Sequence, residues 1–256
     1  DGWYKLIFWE LLYKIITRFR NYLYDKNIIK LYISKSYVIS IGNIIAGGTG
    51  KTPLIIYLAE LLKNSGVKVG IIAGGYKRKS KGLIVVHDNN KIATTVENSG
   101  DEAYLLAEKL KIPILIHNKK YLALSELDNL FDIDVVLIDD GFQHRKISRN
   151  LDIVIINDKT IKEFNLIPKG YLREEKSNLK RADILIYRDL DAELEEFKSI
   201  KSFHIKTDIN KAKIEDEKAI ILTAIANPSN FVNFLNKYNA NIEKVFAFKD
   251  HHFFKH

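Results

Sequence analysis

The chain has no cysteine and no methionine among its 256 residues. Without cysteine there can be no disulfide framework, no thiolate metal site and no cysteine nucleophile, which permits a reducing compartment without proving one. Without methionine, and with Asp1 in first place, the native start is expected to be missing or altered. No internal repeat or low-complexity tract is present, which argues against a solenoid. No small-residue cleavage site accompanies the N-terminal apolar stretch, so that stretch is expected to stay in the mature protein. What is there instead is an ordinary globular composition, 46% apolar and 28% charged. Such a chain can bury a sizeable core, either as one large α/β domain or as a main domain with a smaller companion.

The net charge of +8 calls for an anionic partner. Nucleic acid, phospholipid headgroups and phosphorylated small molecules satisfy it equally. A nucleic-acid module would carry a recognisable reading helix or aromatic strand motif, and neither is found, so nucleic acid is not expected as a partner.

The opening "WYKLIFWELLYKIITRFRNYLYDKNIIK" is bulky and aromatic, but Glu10, Lys14, Arg18 and Arg20 interrupt every apolar run. A membrane span needs about 20 predominantly apolar residues, so this segment should not cross a bilayer. At helical spacing Phe8, Leu11, Leu12, Ile15, Ile16, Phe19 and Leu23 share a broad stripe, with Lys14, Arg18 and Lys26 mostly on another face. Two packings suit that pattern. The helix could lie in an anionic membrane surface with Trp3, Trp9 and the tyrosines near the headgroups, or it could pack on the domain core.

Beyond it, "YVISIG", "KVGIIA", "IPILI", "VVLIDD", "DIVIIN" and "ADILIYR" have the form of short buried strands, with helices expected in "TPLIIYLAELLKNSG" and "GDEAYLLAEKLK". The expected fold is α/β: a P-loop NTPase-like parallel sheet with helices on both faces, an N-terminal amphipathic helix and a smaller C-terminal α/β domain. Near residues 190–215 the chain turns polar, before "AIILTAIANPSNFVNFLNKYN" and "NIEKVFAFKD" restart the alternation. The expected divisions are 1–35 for the helix region, 36–200 for the main domain and 201–256 for the smaller one.

In "AGGTGKT", Gly47, Gly48, Thr49 and Gly50 let backbone N–H groups approach an anion, and the following helix aims its positive end at the same place. Lys51 would reach the β- and γ-phosphates of a nucleoside triphosphate, and Thr52 would offer its hydroxyl to Mg²⁺. The general motif puts glycine where Ile45 stands, but strand, loop and helix follow in the required order. In "VVLIDDGFQH" a buried strand ends in Asp139 and Asp140, where carboxylates complete a Mg²⁺ site in such folds. Taken alone, the pair could equally be solvated turn residues.

Together "SIGNIIAGGTGKTP", "GDEAYLLA", "LIDDGFQHRKISRNLDIVIIN" and "LIPKGYLREE", followed by "TAIANPSNF" and "FKDHHFF", resemble the tetraacyldisaccharide 4′-kinase family over nearly the whole chain. The resemblance implies transfer of the γ-phosphoryl group of ATP to the 4′-hydroxyl of a lipid A disaccharide precursor. It also implies a site at the cytoplasmic face of a bacterial inner membrane. By the same resemblance Asp101 of "GDEA" is the base that accepts the sugar hydroxyl's proton, and His251 of "DHH" orients it, in preference to His252. Asp139, Asp140 and Thr52 would hold Mg²⁺. Tyr76, Arg78, Gln143, His144, Arg173 and Glu174 would contact lipid headgroup or nucleotide.

From the residues alone, Asp101 could be only a helix cap, and Arg173 only a surface ion pair. Adjacent His251 and His252 are a poor zinc set. The family's arginine before the loop glycine is Gly74 here, and Lys119 and Lys120 stand where it often has arginine. Family members also continue past "DHH", so further second-domain residues are expected. The rival is a membrane-associated partition- or positioning-type P-loop ATPase. That class carries a lysine just before the paired glycines, where this chain has Ala46.

Overall fold

The computed structural model describes residues 2–206, 218–225, 228–236, 241–249 and 252. The chain divides into two compact units, Asp1–Lys206 and Thr207–His256. The first opens with helix α1 (Gly2–Asp25) and is built on β1 (Tyr37–Gly42), β2 (Val69–Ala73), β3 (Ile84–His87), β4 (Ile114–Ile116), β5 (Val135–Asp139), β6 (Leu151–Ile156), β7 (Ile184–Arg188) and β8 (Lys201–Ile205). These form one sheet in the order β3-β4-β2-β5-β1-β6-β7-β8, parallel throughout except for β3, which runs antiparallel to β4 at the edge. The central strands are buried on both faces, which is why they appear in the sequence as continuous Ile/Val/Leu runs rather than alternating ones.

Helices α2 (Lys51–Asn64), α3 (Val96–Ser99), α4 (Asp101–Leu110), α5 (Lys120–Leu130) and α6 (Asp158–Lys162) connect the strands. Ile55 and Ala59 of α2 and Leu106 and Leu110 of α4 pack with Ile41, Ile71 and Leu137 on one face of the sheet. Leu124 and Leu127 of α5 pack with Val38, Ile72 and Ile138 on the other. A third cluster around Ile44, Phe142, Val154 and Tyr187 takes in Tyr13 of α1 at its border. With β5 next to β1, the tips of both strands open onto the same end of the sheet.

Five elements go beyond the sequence expectation: the short helices α3 and α6, helix α5, and strands β3 and β8. Helix α5 begins at Lys120 with no side-chain cap, so the usual start signal is missing. Strands β3 and β8 lie at the two edges; β8 is mostly exposed, so "KSFHI" shows no apolar run. Because β8 pairs with β7, the first unit extends to Lys206, a few residues past the expected division at 200. In the second unit β9 (Lys218–Thr223) and β10 (Asn241–Ala247) form a parallel pair, with α7 (Pro228–Asn236) against β10.

Candidate active site

The loop after β1 has the geometry its glycines predict. Gly47 and Gly50 hold φ of 108° and 86°, left-handed values that suit a residue without Cβ, and α2 starts immediately at Lys51. Ile45, in the motif's missing glycine position, is buried and bridges Leu172, so its side chain fills the core beneath the loop. Thr49 is turned inward: its hydroxyl accepts from Asn43 Nδ2 at 2.7 Å, and both residues are fully buried. Arg188, at the end of β7, lies against Gly50 and would collide with any Cβ there.

Asp139 and Asp140 sit beside this loop in different environments. Burial alone would raise the Asp140 carboxyl, but the Arg173 hydrogen bonds and the charges of Lys51 and Lys120 reverse that and hold it well below the usual range. Arg173 grips it with two parallel bonds of 2.7 and 2.8 Å, and Lys51 Nζ lies 3.4 Å away. Burial pushes the Asp139 carboxyl up, and its Oδ1 is buried with no hydrogen-bond partner among the described residues. A buried unpaired carboxylate oxygen next to a strongly ionised carboxylate, with Thr52 opening the neighbouring helix, is donor chemistry suited to Mg²⁺. The pair is therefore not the solvated turn that the sequence also allowed.

Asn43 and Lys120 are functional in position, yet sequence reasoning did not single out Asn43 and treated Lys120 only as a replaced arginine. Asn43 holds the loop through Thr49, takes a bond from Arg173 on its Oδ1, and accepts from Gln143 Nε2 at 2.8 Å on its carbonyl. The only hint was a polar residue following a buried strand in "SIGN". Lys120 is 2% exposed, and its ammonium donates to the carbonyls of Asp139 and Asp140, the latter at 2.8 Å. It braces the turn that carries both carboxylates. Burial lowers its pKa against the pull of Asp140 and Asp139.

The other expected residues divide. His144 is driven down to about 3 by burial and by Lys120, so its imidazole is neutral at neutral pH. Gln143 has a buried Oε1 without a hydrogen-bond partner among the described residues. Asp101 is the first residue of α4. The cap position belongs to Gly100, and the Asp101 carboxylate accepts the Glu102 N–H at 2.9 Å. Gly100, at φ 82°, allows the Tyr76 carbonyl so close that a Cβ would lie 2.6 Å from it. The loop after β2 is thereby seated on the start of α4, with the Tyr76 ring largely exposed. Arg78 instead holds its own loop, donating to the Gly82 carbonyl at 2.7 Å. Glu174 is fully buried and bound to Asn21 (3.1 Å), Arg20 (3.4 Å) and Arg181 (2.7 Å), which makes it a partner of α1 rather than an exposed ligand contact. His251 lies outside the described residues. His252 stacks on Phe248 at 4.9 Å within the second unit.

Helix α1 turns its polar side to the protein. Lys14 and Arg18 pair with Glu175 at 3.0 and 2.6 Å, and Thr17 and Asn21 are buried. The apolar side is left open: Phe8 is 61%, Leu11 55%, Ile15 56% and Phe19 62% exposed. Of the two packings foreseen from the sequence, the one on the protein is seen, but it is made through the polar face. Among the described residues no helix is long and apolar enough to cross a membrane.

The profile of the family described as Tetraacyldisaccharide-1-P 4'-kinase matches residues 3–256. A relative from Halothermothrix orenii, named Tetraacyldisaccharide 4'-kinase, is 34% identical over 95% of this chain and 73% of its own. One of the same name from Aquifex aeolicus is 33% identical over 97% of this chain and 82% of its own. A crystal structure of the Aquifex aeolicus protein in complex with ATP matches with a TM-score of 0.83 at 31% identity, over 96% of this chain and 81% of that one. The match spans nearly the whole chain, and the chain belongs to the tetraacyldisaccharide-1-phosphate 4′-kinase family.

Proposed function

We propose that this protein transfers the γ-phosphoryl group of ATP to the 4′-hydroxyl of a tetraacyldisaccharide 1-phosphate in lipid A biosynthesis. The observation that carries this at the level of the site is the cluster of Asp139, Asp140, Lys51 and Arg173 at the mouth of the phosphate loop. Asp139 and Asp140 with Thr52 would hold Mg²⁺, which when bound would neutralise charge on the β- and γ-phosphates. Lys51 is within reach of the same phosphates, so a nucleotide would draw it from Asp140. The sugar oxygen bonds to the γ-phosphorus as the bond to the β–γ bridging oxygen breaks, releasing ADP. The hydroxyl proton passes to Asp101, with His251 the catalytic histidine by family resemblance. Such a transfer needs positioning more than a strong base, which a carboxylate can supply.

The exposed face of α1 docks the enzyme on the cytoplasmic surface of the inner membrane, where an acylated sugar resides. In the division we propose, residues 1–35 serve the membrane and 36–206 hold nucleotide and metal, with 207–256 a second unit. A partition-type switch is not favoured, because Ala46 replaces its lysine and the family matches are to kinases. The test is incubation with labelled ATP, Mg²⁺ and a lipid A disaccharide monophosphate in detergent. A bisphosphorylated product is expected, and ATP hydrolysis without one would overturn the assignment.

A further inference from the structure

Three consecutive residues, Arg173, Glu174 and Glu175, tie α1 to the phosphate-transfer centre. The Tyr13 hydroxyl donates to the Arg173 carbonyl at 2.8 Å. Glu174 is held by Asn21 and Arg20, and Glu175 by Lys14 and Arg18. On its other side the same segment belongs to the site. Leu172 bridges Ile45, the Arg173 N–H donates to the Ile44 carbonyl at 2.8 Å, and the Arg173 guanidinium binds Asp140 and Asn43. Asn43 in turn carries Thr49 of the phosphate loop. Arg173 Nε is buried with no partner among the described residues, so the guanidinium is aimed by its two terminal nitrogens and by the position of its own backbone.

A helix that only held the chain to a bilayer would need its exposed apolar face and nothing more. Burying polar groups on the opposite face is costly unless each is hydrogen-bonded, and here most of those bonds converge on residues 173–175. We propose that Tyr13 is a positioning residue for phosphoryl transfer: by holding the Arg173 carbonyl, it sets the backbone from which the guanidinium reaches Asp140. Helix α1 is then part of the catalytic scaffold as well as a docking element. Burial raises the Tyr13 pKa, against the pull of Arg20, which keeps the hydroxyl a donor.

This inference rests on the kinase assignment, and its test uses Tyr13→Phe in the whole chain with substrate in detergent micelles, so that membrane docking does not enter. The ring stays in its cluster, and only one hydrogen bond is lost. The expected result is a fall in kcat of about fivefold to tenfold, with KM for ATP within about twofold. In an Arg173→Ala background, Tyr13→Phe should cost nothing further, because the group it positions is gone. Wild-type kcat in Tyr13→Phe, a lower melting temperature with unchanged turnover per folded enzyme, or an equal loss in both backgrounds would each overturn the proposal. No transfer by the wild type would sink the kinase assignment and this proposal together, whereas a fully active Tyr13→Phe enzyme sinks only this one.

Discussion

At the tip of β5 two neighbouring carboxylates are turned to different tasks, because Asp140 takes a left-handed φ of 50° while Asp139 stays in the strand. Arg173 and Lys51 meet Asp140, and Asp139 Oδ1 is buried with no hydrogen-bond partner among the described residues. Removing Lys51 leaves this charge pattern without its link to the phosphates. Lys51→Ala should therefore lose about two to four powers of ten in turnover while melting close to the wild type. Near-normal turnover in the folded variant would show that the loop does not hold ATP. Asp101 poses a sharper question, since its carboxylate accepts the next residue's N–H while the cap position belongs to Gly100. Asp101→Asn keeps that acceptor and removes the base, so single-turnover transfer should fall by about two or more powers of ten with stability nearly unchanged. A variant that melts early but still turns over would mark Asp101 as a structural group.

Helix α1 is the element whose two faces obey different physics. Its inner face is joined by charge, and the Glu175 carboxyl is held below the usual range by the Arg18 hydrogen bonds, with burial opposing and Lys14 assisting. A folded-state pKa below the unfolded one means that this stabilisation is complete above the ordinary carboxylate value and is lost as pH falls through the depressed one. Glu175→Gln should accordingly melt lower than the wild type at pH 7, by on the order of one degree because the partners are well exposed, and the gap should close as pH falls through the depressed carboxyl value. A gap that stays constant as the pH is lowered until the carboxylate is protonated would mean that packing, not charge, makes the difference. The outer face should bind membranes through apolar burial. Because Lys14, Arg18 and Arg20 already have acidic partners, the salt dependence should fall below the roughly 1 kcal/mol expected for each unpaired basic residue. Co-sedimentation with liposomes across a salt series tests this. Protein left in the supernatant with both anionic and neutral vesicles would refute docking, and steep loss with salt would refute the division of faces.

For the whole molecule, nucleotide and metal should act as a single stabilising ligand. At about 100 times its dissociation constant Mg²⁺–ATP would add about 2.7 kcal/mol, which for a chain of this size is a rise in melting temperature of roughly 5–10 °C. EDTA should remove most of it, and no shift in either condition would count against the phosphate loop and its carboxylates as the nucleotide site. The strands around that site, its loop and its paired acids were legible because each depends on neighbours in sequence: runs of Ile and Val buried on both faces, glycines where φ must be positive, carboxylates at a strand tip. Strand β8 and helix α5 were not, since an exposed edge strand has no apolar run and an uncapped helix has no start signal. The roles of individual polar residues were still less visible. Glu174 and Arg173 adjoin in "LREE", yet one is bound to α1 and the other to Asp140, at sequence separations of more than 150 and more than 30 residues. By itself, then, the sequence determined the family, the sheet and the phosphate loop, because local pattern specifies them. Only the tertiary structure decided which cations serve the site, which serve the helix and which face of α1 stays open, because pairing between distant charges is settled by where the folded backbone places them.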